Sequence, residues 1–332
     1  MKWLHAAFLV LGVALFAILL GSVGLETLWQ DAARLGWGIV AIVAIEGVAD
    51  VLRTAAWQRC FAPGHRPGVF ALWWPNLAGA AVNYATPTAT LGGEVVRGSL
   101  APQGIPPAEI TSSLAINRLT LSLADTSIAA AGATVILMRA PLGPAGKLGV
   151  LVGLGLLLAG TGTFFWLQRT GRMASLVGRR SLVTRLLGPE RAAKVREISE
   201  DIDQRMEELH RDGATSVAES VLLQFAARSI GAIQLWMFLA WMGAPSDLAT
   251  VLITFLVARG IEAVAFFVPA SLGVQEGGFM LGLKLAGLEP ALGLSFSLAL
   301  RVEQIVWAAI GFAAYAGVLA NRRAPPGSEA GP

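Results

Sequence analysis

The chain has 332 residues, 55% of them apolar and only 14% charged, with a formal net charge of +3. A soluble domain carries about a quarter charged residues, so this balance excludes an ordinary globular fold and points to an integral membrane protein. The single cysteine and three scattered histidines exclude a disulfide framework and a multi-ligand metal site.

Taken in order, "LHAAFLVLGVALFAILLGSVGL" at 4–25 is long enough to cross a hydrocarbon core of about 30 Å. Its apolar run exceeds a signal-peptide core, so it reads as a retained signal-anchor helix. A second span is expected over 37–58. The loop "RCFAPGHRPG" at 59–68 carries Arg59 and Arg66 and is expected in the cytoplasm, with Cys60 open to thiol reagents there. Region 70–104 is apolar but holds Pro87 and a glycine pair at its middle, followed by Glu94. It reads as two shorter helices meeting at a kinked tip.

Spans at 109–138 and 147–168 follow. From Arg169 to Arg196 the chain is basic, with Glu190 as its only acid, so segment 169–215 is placed in the cytoplasm. Within it, Val195, Ile198, Ile202, Met206 and Leu209 form one apolar stripe on a helix over 189–210. That stripe either packs on the protein's own inner face or docks a partner, such as a lipid-biosynthesis enzyme, or a lipid surface. A span at 216–242 leads into a second broken region, 248–288, with Pro269, Gly273 and Glu276 in its "VPASLGVQEGG". A last span, 291–319, precedes a disordered tail, 321–332, whose Arg322 and Arg323 also suggest the cytoplasm.

Parity then constrains the broken regions. Between the two cytoplasmic segments an even number of crossings is needed, and 109–138 with 147–168 supply two. Region 70–104 must therefore enter and leave on the cytoplasmic side, and by the same count 248–288 on the opposite side. Two re-entrant hairpins from opposite faces are the mark of an inverted-topology repeat. The expected fold is thus an all-α polytopic membrane protein of about six spans and two re-entrant hairpins. One half is 1–168 and the other 216–320, in the inner membrane, with both termini cytoplasmic.

The repeat leaves traces in the sequence. Pro87 precedes Glu94 by seven residues, as Pro269 precedes Glu276. Gly104, Pro107, Ala108, Ser112 and Arg118 recur at equal spacing as Gly287, Pro290, Ala291, Ser295 and Arg301. Half-helices starting near the tips would aim unpaired N–H groups at the membrane centre, where a phosphate or carboxylate is attracted.

Ionisable residues at membrane depth cost about 2.5–3.5 kcal/mol each on insertion scales, so each needs a partner or a role. Glu94, Arg97, Arg118, Glu276 and Arg301 belong to the repeat elements and are the candidate substrate-binding residues. Arg118 and Arg301 are expected to converge on the tips near Glu94 and Glu276. Glu46, Asp50 and Arg53 share one helical face, as do Arg118 and Asp125; Arg259 and Glu262 are an i, i+3 pair. These are candidate structural or coupling charges, with Arg228 mid-span and Glu303 a further candidate partner. Phosphate-loop, nucleophile-elbow and zincin motifs do not occur, so no catalytic residue, cofactor, metal or nucleic acid is expected.

The stretches "P-x-x-x-L-G-G-E-V-V-R" (87–97), "N-R-L…D" (117–125) and "V-P-A-S-L-G-V-Q-E-G-G" (268–278) resemble the flippase-like membrane region of lysylphosphatidylglycerol synthases and their stand-alone relatives. The resemblance runs in order over roughly 5–320. It implies a protein that moves a lipid between leaflets, without the separate cytoplasmic domain that attaches the amino acid, and therefore not an enzyme. "GVQEGG" is most similar to the subgroup associated with hopanoid biosynthesis. Asn117 stands where family patterns often show a glutamate, which removes one intramembrane acid. An accessory subunit of a lipid-modifying pathway and a membrane-embedded transferase remain the alternatives.

Overall fold

The computed structural model describes residues 25–85, 91–169, 214–265, 268 and 271–323, and among these proline and glycine punctuate the chain into ten α-helices. In the first half these are α1 (Leu25–Leu35), α2 (Gly38–Arg59), α3 (Val69–Ala85), α4 (Leu91–Leu100), α5 (Pro107–Arg139) and α6 (Pro144–Arg169). The second half holds α7 (Ala214–Trp241), α8 (Leu248–Val264), α9 (Val274–Leu285) and α10 (Pro290–Arg323). Among the described residues there is no strand.

The helix starts follow local chemistry. α5 and α10 both open on a proline at a first-turn position, where its missing N–H leaves nothing unsatisfied. Each follows a left-handed glycine, Gly104 at φ 88° and Gly287 at φ 83°, a conformation other residues adopt only with strain. α8 is capped by Asp247, whose carboxylate accepts the N–H groups of Ala249 and Thr250. Hydrogen bonds from the Thr250 hydroxyl and these N–H groups hold that carboxyl below the usual aspartate value.

Four helices are individually long and apolar enough to cross a bilayer: α5, α6, α7 and α10. α2 qualifies only together with α1, to which it is bent by 72°, because Glu46, Asp50 and Arg53 dilute its apolar run. Among the described residues the count is therefore four spans, or five with the bent pair, and five of the six expected spans fall there. The expected span 4–25, segment 170–213 with its 189–210 helix, and the tail beyond 323 lie outside the described residues.

Both broken regions resolve into helix pairs. Region 70–104 gives α3 packed on α4, and 248–288 gives α8 packed on α9. Further contacts correspond between the halves. α2 packs along α7; α3 packs on α10 as α8 packs on α5; α2 meets α10 as α7 meets α5. Exchanging the helices of one half for those of the other leaves this set of neighbours unchanged.

Two close crossings anchor it. A Cβ at Gly132 of α5 would run into the backbone carbonyl of Leu256 on α8, and one at Gly311 of α10 into that of Leu77 on α3. The same offset in sequence relates Gly132 to Gly311 and Leu77 to Leu256. Helices packed in lipid gain from such approach because dispersion and not water expulsion drives their association. The main apolar core joins α2, α7, α8, α9 and α10 around Phe238, Phe279 and Phe296, and a second gathers Trp57, Phe61, Leu72 and Ile116.

Candidate functional site

The second hairpin is closed by an ion pair. Glu276, in the first turn of α9, is fully buried. Its Oε1 accepts from Arg301 Nε at 2.9 Å. The same guanidinium donates to Gln304 Oε1 and to the Ser271 carbonyl, each at 3.2 Å. Ser271 is held at φ 49°, in the left-handed region, so this donor pins a strained turn at the hairpin tip. Gln304 in turn donates to Gln275 Oε1 at 3.2 Å.

The first hairpin is wired differently. Glu94 lies in the first turn of α4, and its Oε1 accepts from Arg97 Nη1 of the same helix at 2.8 Å. Glu94 Oε2 and Arg97 Nε are buried without a partner among the described residues. The start of α4 is fixed by Asn83 of α3, whose Oδ1 accepts the Gly93 N–H at 2.7 Å. On α5, Ile110 and Leu114 face Gly98 of α4. Arg118 lies one turn further along that face and is exposed. It is within electrostatic reach of Arg97, and among the described residues no carboxylate pairs with it. The expected Arg118–Glu94 contact is absent because Arg97, three residues from Glu94, reaches the carboxylate first.

The other candidate charges are paired with one another or with Arg228. Arg53 donates to Glu46 at 2.6 Å and to Asp50 at 2.7 Å, confining that cluster to one face of α2. Asp125 pairs not with Arg118 but with Arg228 of α7, at 2.7 and 2.9 Å, which ties α5 to α7. Arg259 pairs with Glu262 at 2.6 Å and lies over the rings of Phe255 and Phe279. Asn117 is buried and accepts from Gln224 of α7 at 2.9 Å, an amide pair that joins α5 to α7.

Sequence reasoning missed the glutamines. Gln234 of α7, buried, donates from Nε2 to Glu303 at 2.8 Å and to the Ile42 carbonyl at 3.0 Å. A glutamine in the middle of an apolar span was the available signal. Cys60 also departs from expectation. It is only 3% exposed, with Ser220 Oγ 3.5 Å from its sulfur, and burial pushes its thiol up to about 12. A thiol so placed does not react readily with external reagents. No cluster of metal-ligating side chains occurs among the described residues.

The model of one family, Lysylphosphatidylglycerol synthase TM region, matches residues 6–311, and the chain belongs to that family. Among curated proteins and solved structures, none matches the chain.

Proposed function

We propose that this protein moves an amphipathic lipid between the leaflets of the bacterial inner membrane, with Arg118 gripping an anionic headgroup beside the first hairpin. The observation that carries this reading is an exposed arginine, at membrane depth in α5, that no carboxylate neutralises among the described residues. Such a residue is costly unless it meets a ligand or a water-filled cavity. Glu94 and Arg97 lie on the neighbouring helix, and each keeps a buried polar atom without a partner among the described residues, as Glu276 also does. Family membership ties the chain to lipid handling.

The exchange of neighbours between halves supports an inverted-topology repeat, the arrangement in which alternating access proceeds around a midplane site. Arg59, Arg66 and the basic run from Arg169 support a cytoplasmic side for those segments and for both termini. The likeness of "GVQEGG" to the hopanoid-associated subgroup makes a hopanoid-derived lipid the first cargo to try beside anionic phospholipids. Chemistry on the lipid is not part of this role; an enzyme docked at segment 189–210 would supply it.

Purified protein in liposomes tests the proposal with headgroup-labelled lipids and an impermeant quencher. Exchange above that of protein-free liposomes is expected, together with co-purification of the transported lipid. Product formation without exchange would replace the transporter with a transferase, and neither would leave an accessory role.

A further inference from the structure

Glu303 sits in the middle of α10, where the span is apolar, and is 6% exposed. Its Oε2 accepts from the neutral Gln234 at 2.8 Å, and its Oε1 has no hydrogen bond among the described residues. The interface places it beside α2. Gln234 also bonds the Ile42 carbonyl, and Trp307, one turn from Glu303, donates to the Val43 carbonyl at 2.8 Å and covers Gly47. At this level α2 presents Glu46, and Glu303 is within electrostatic reach of Glu46, Asp50 and Arg53.

Charge balance is the decisive point. Glu46, Asp50 and Glu303 are three acids around one guanidinium, Arg53, which is already engaged by the first two. Arg97, the next cation within reach of Asp50, is itself held by Glu94. The other elements packed on Glu303 offer no relief. α3 has no acid or base in its membrane run beyond Tyr84. Glu276 of α9 is bound to Arg301, Arg228 of α7 to Asp125, and Asp31 of α1 to Ser295 about two turns away. Carboxylates crowded in a low-dielectric interior cannot all ionise, and the proton belongs to the group without a cationic partner.

We infer that Glu303 is an intramembrane proton-binding site, protonated on Oε1, and that its proton exchange is coupled to lipid movement through the Glu46–Asp50–Arg53 cluster. On release the O–H bond of Oε1 breaks, the electron pair stays on the carboxylate, and the proton passes to water. Arg53, which does not titrate, is the nearest compensating charge. The proton site stands on the burial, contacts and charged neighbours of Glu303; only its coupling rests on the transport reading above.

Infrared titration of the full chain in lipid bilayers reads the site without reference to activity. The wild type should show the carbonyl stretch of a protonated carboxylic acid that fades as pH rises, and Glu303→Gln should lack that band. Identical titrations of the two proteins would overturn the inference. Should Glu303→Gln fail to fold, Glu46→Gln decides: removing the neighbouring like charge should move the fading of the band down by about one pH unit. An unmoved midpoint would be contrary. In liposomes, an imposed pH gradient should alter lipid exchange by the wild type and leave Glu303→Gln unresponsive. The band without any lipid exchange refutes transport and keeps the proton site. Exchange without the band does the reverse.

Discussion

In the first hairpin Glu94 is held by Arg97 of its own helix, and Arg118 on α5 is left exposed. In the second, Glu276 is wholly buried, and Arg301, the counterpart of Arg118, reaches across from α10 to bind it. One position separates the two outcomes. Counting from the matched glutamates, the place of Arg97 is taken in the second half by Phe279. That ring is buried edge-on against Phe296, 4.8 Å between centroids. A glutamate followed by phenylalanine has no local cation and must recruit the distant arginine. A glutamate followed by Arg97 is paired locally, and the distant arginine is left without a carboxylate among the described residues. One half is therefore locked and the other open.

Sidedness is the all-or-none test of the comparison. The loops preceding the two hairpins should face opposite sides of the membrane. Cys60 is too buried to interfere, so single cysteines suffice at Gly64, which has open space around it, and at the exposed Pro245. An impermeant maleimide should label Gly64→Cys only from the cytoplasm and Pro245→Cys only from outside. Labelling from the same side would break the opposed arrangement.

Breaking the locked pair is the largest expected stability effect. Glu276→Gln strands Arg301 and should cost about 3–5 kcal/mol, read as loss of thermal stability in detergent. Glu276→Gln with Arg301→Gln removes both charges and should recover most of it. Glu94→Gln should cost less, because Arg97 remains within reach of Asp50. Equal losses in the two halves would erase the distinction.

The glycine crossings come next. Gly132→Ala and Gly311→Ala each force a Cβ against a backbone carbonyl, at about 1–3 kcal/mol apiece. Their losses should match, since the crossings α5–α8 and α10–α3 correspond. A large inequality would show that the halves agree only in sequence.

Much of this fold was legible from punctuation. The expected spans 109–138 and 291–319 start within two residues of α5 and α10, and the Pro-Gly interruptions of 70–104 and 248–288 marked helix pairs. The bend between α1 and α2 was not legible, because the residues around Gly36 read as a plain approach to a span. In the site, the link from Arg301 to Glu276 followed from their matched positions. The capture of Glu94 by Arg97 is an i, i+3 spacing, which the pairing expected from symmetry with Arg301 left unread. The contacts of Gln234 with Glu303 and of Arg228 with Asp125 depend on which helices meet. Spacing along one chain carries no such information.

Leaflet exchange per folded protein, measured for Arg118→Gln beside the Glu276→Gln, Arg301→Gln double variant, tests the open-and-locked distinction most directly. Arg118 pairs with no carboxylate among the described residues, so its loss should leave stability within about 0.5 kcal/mol. Exchange should nonetheless fall about tenfold or more, the worth of a charged hydrogen bond to a headgroup. The double variant should keep most of its exchange. Arg97→Phe should imitate Arg118→Gln, because Glu94 would then draw Arg118 away from the ligand. Wild-type exchange by Arg118→Gln, or loss only in the double variant, would contradict the assignment and move the site to the second hairpin.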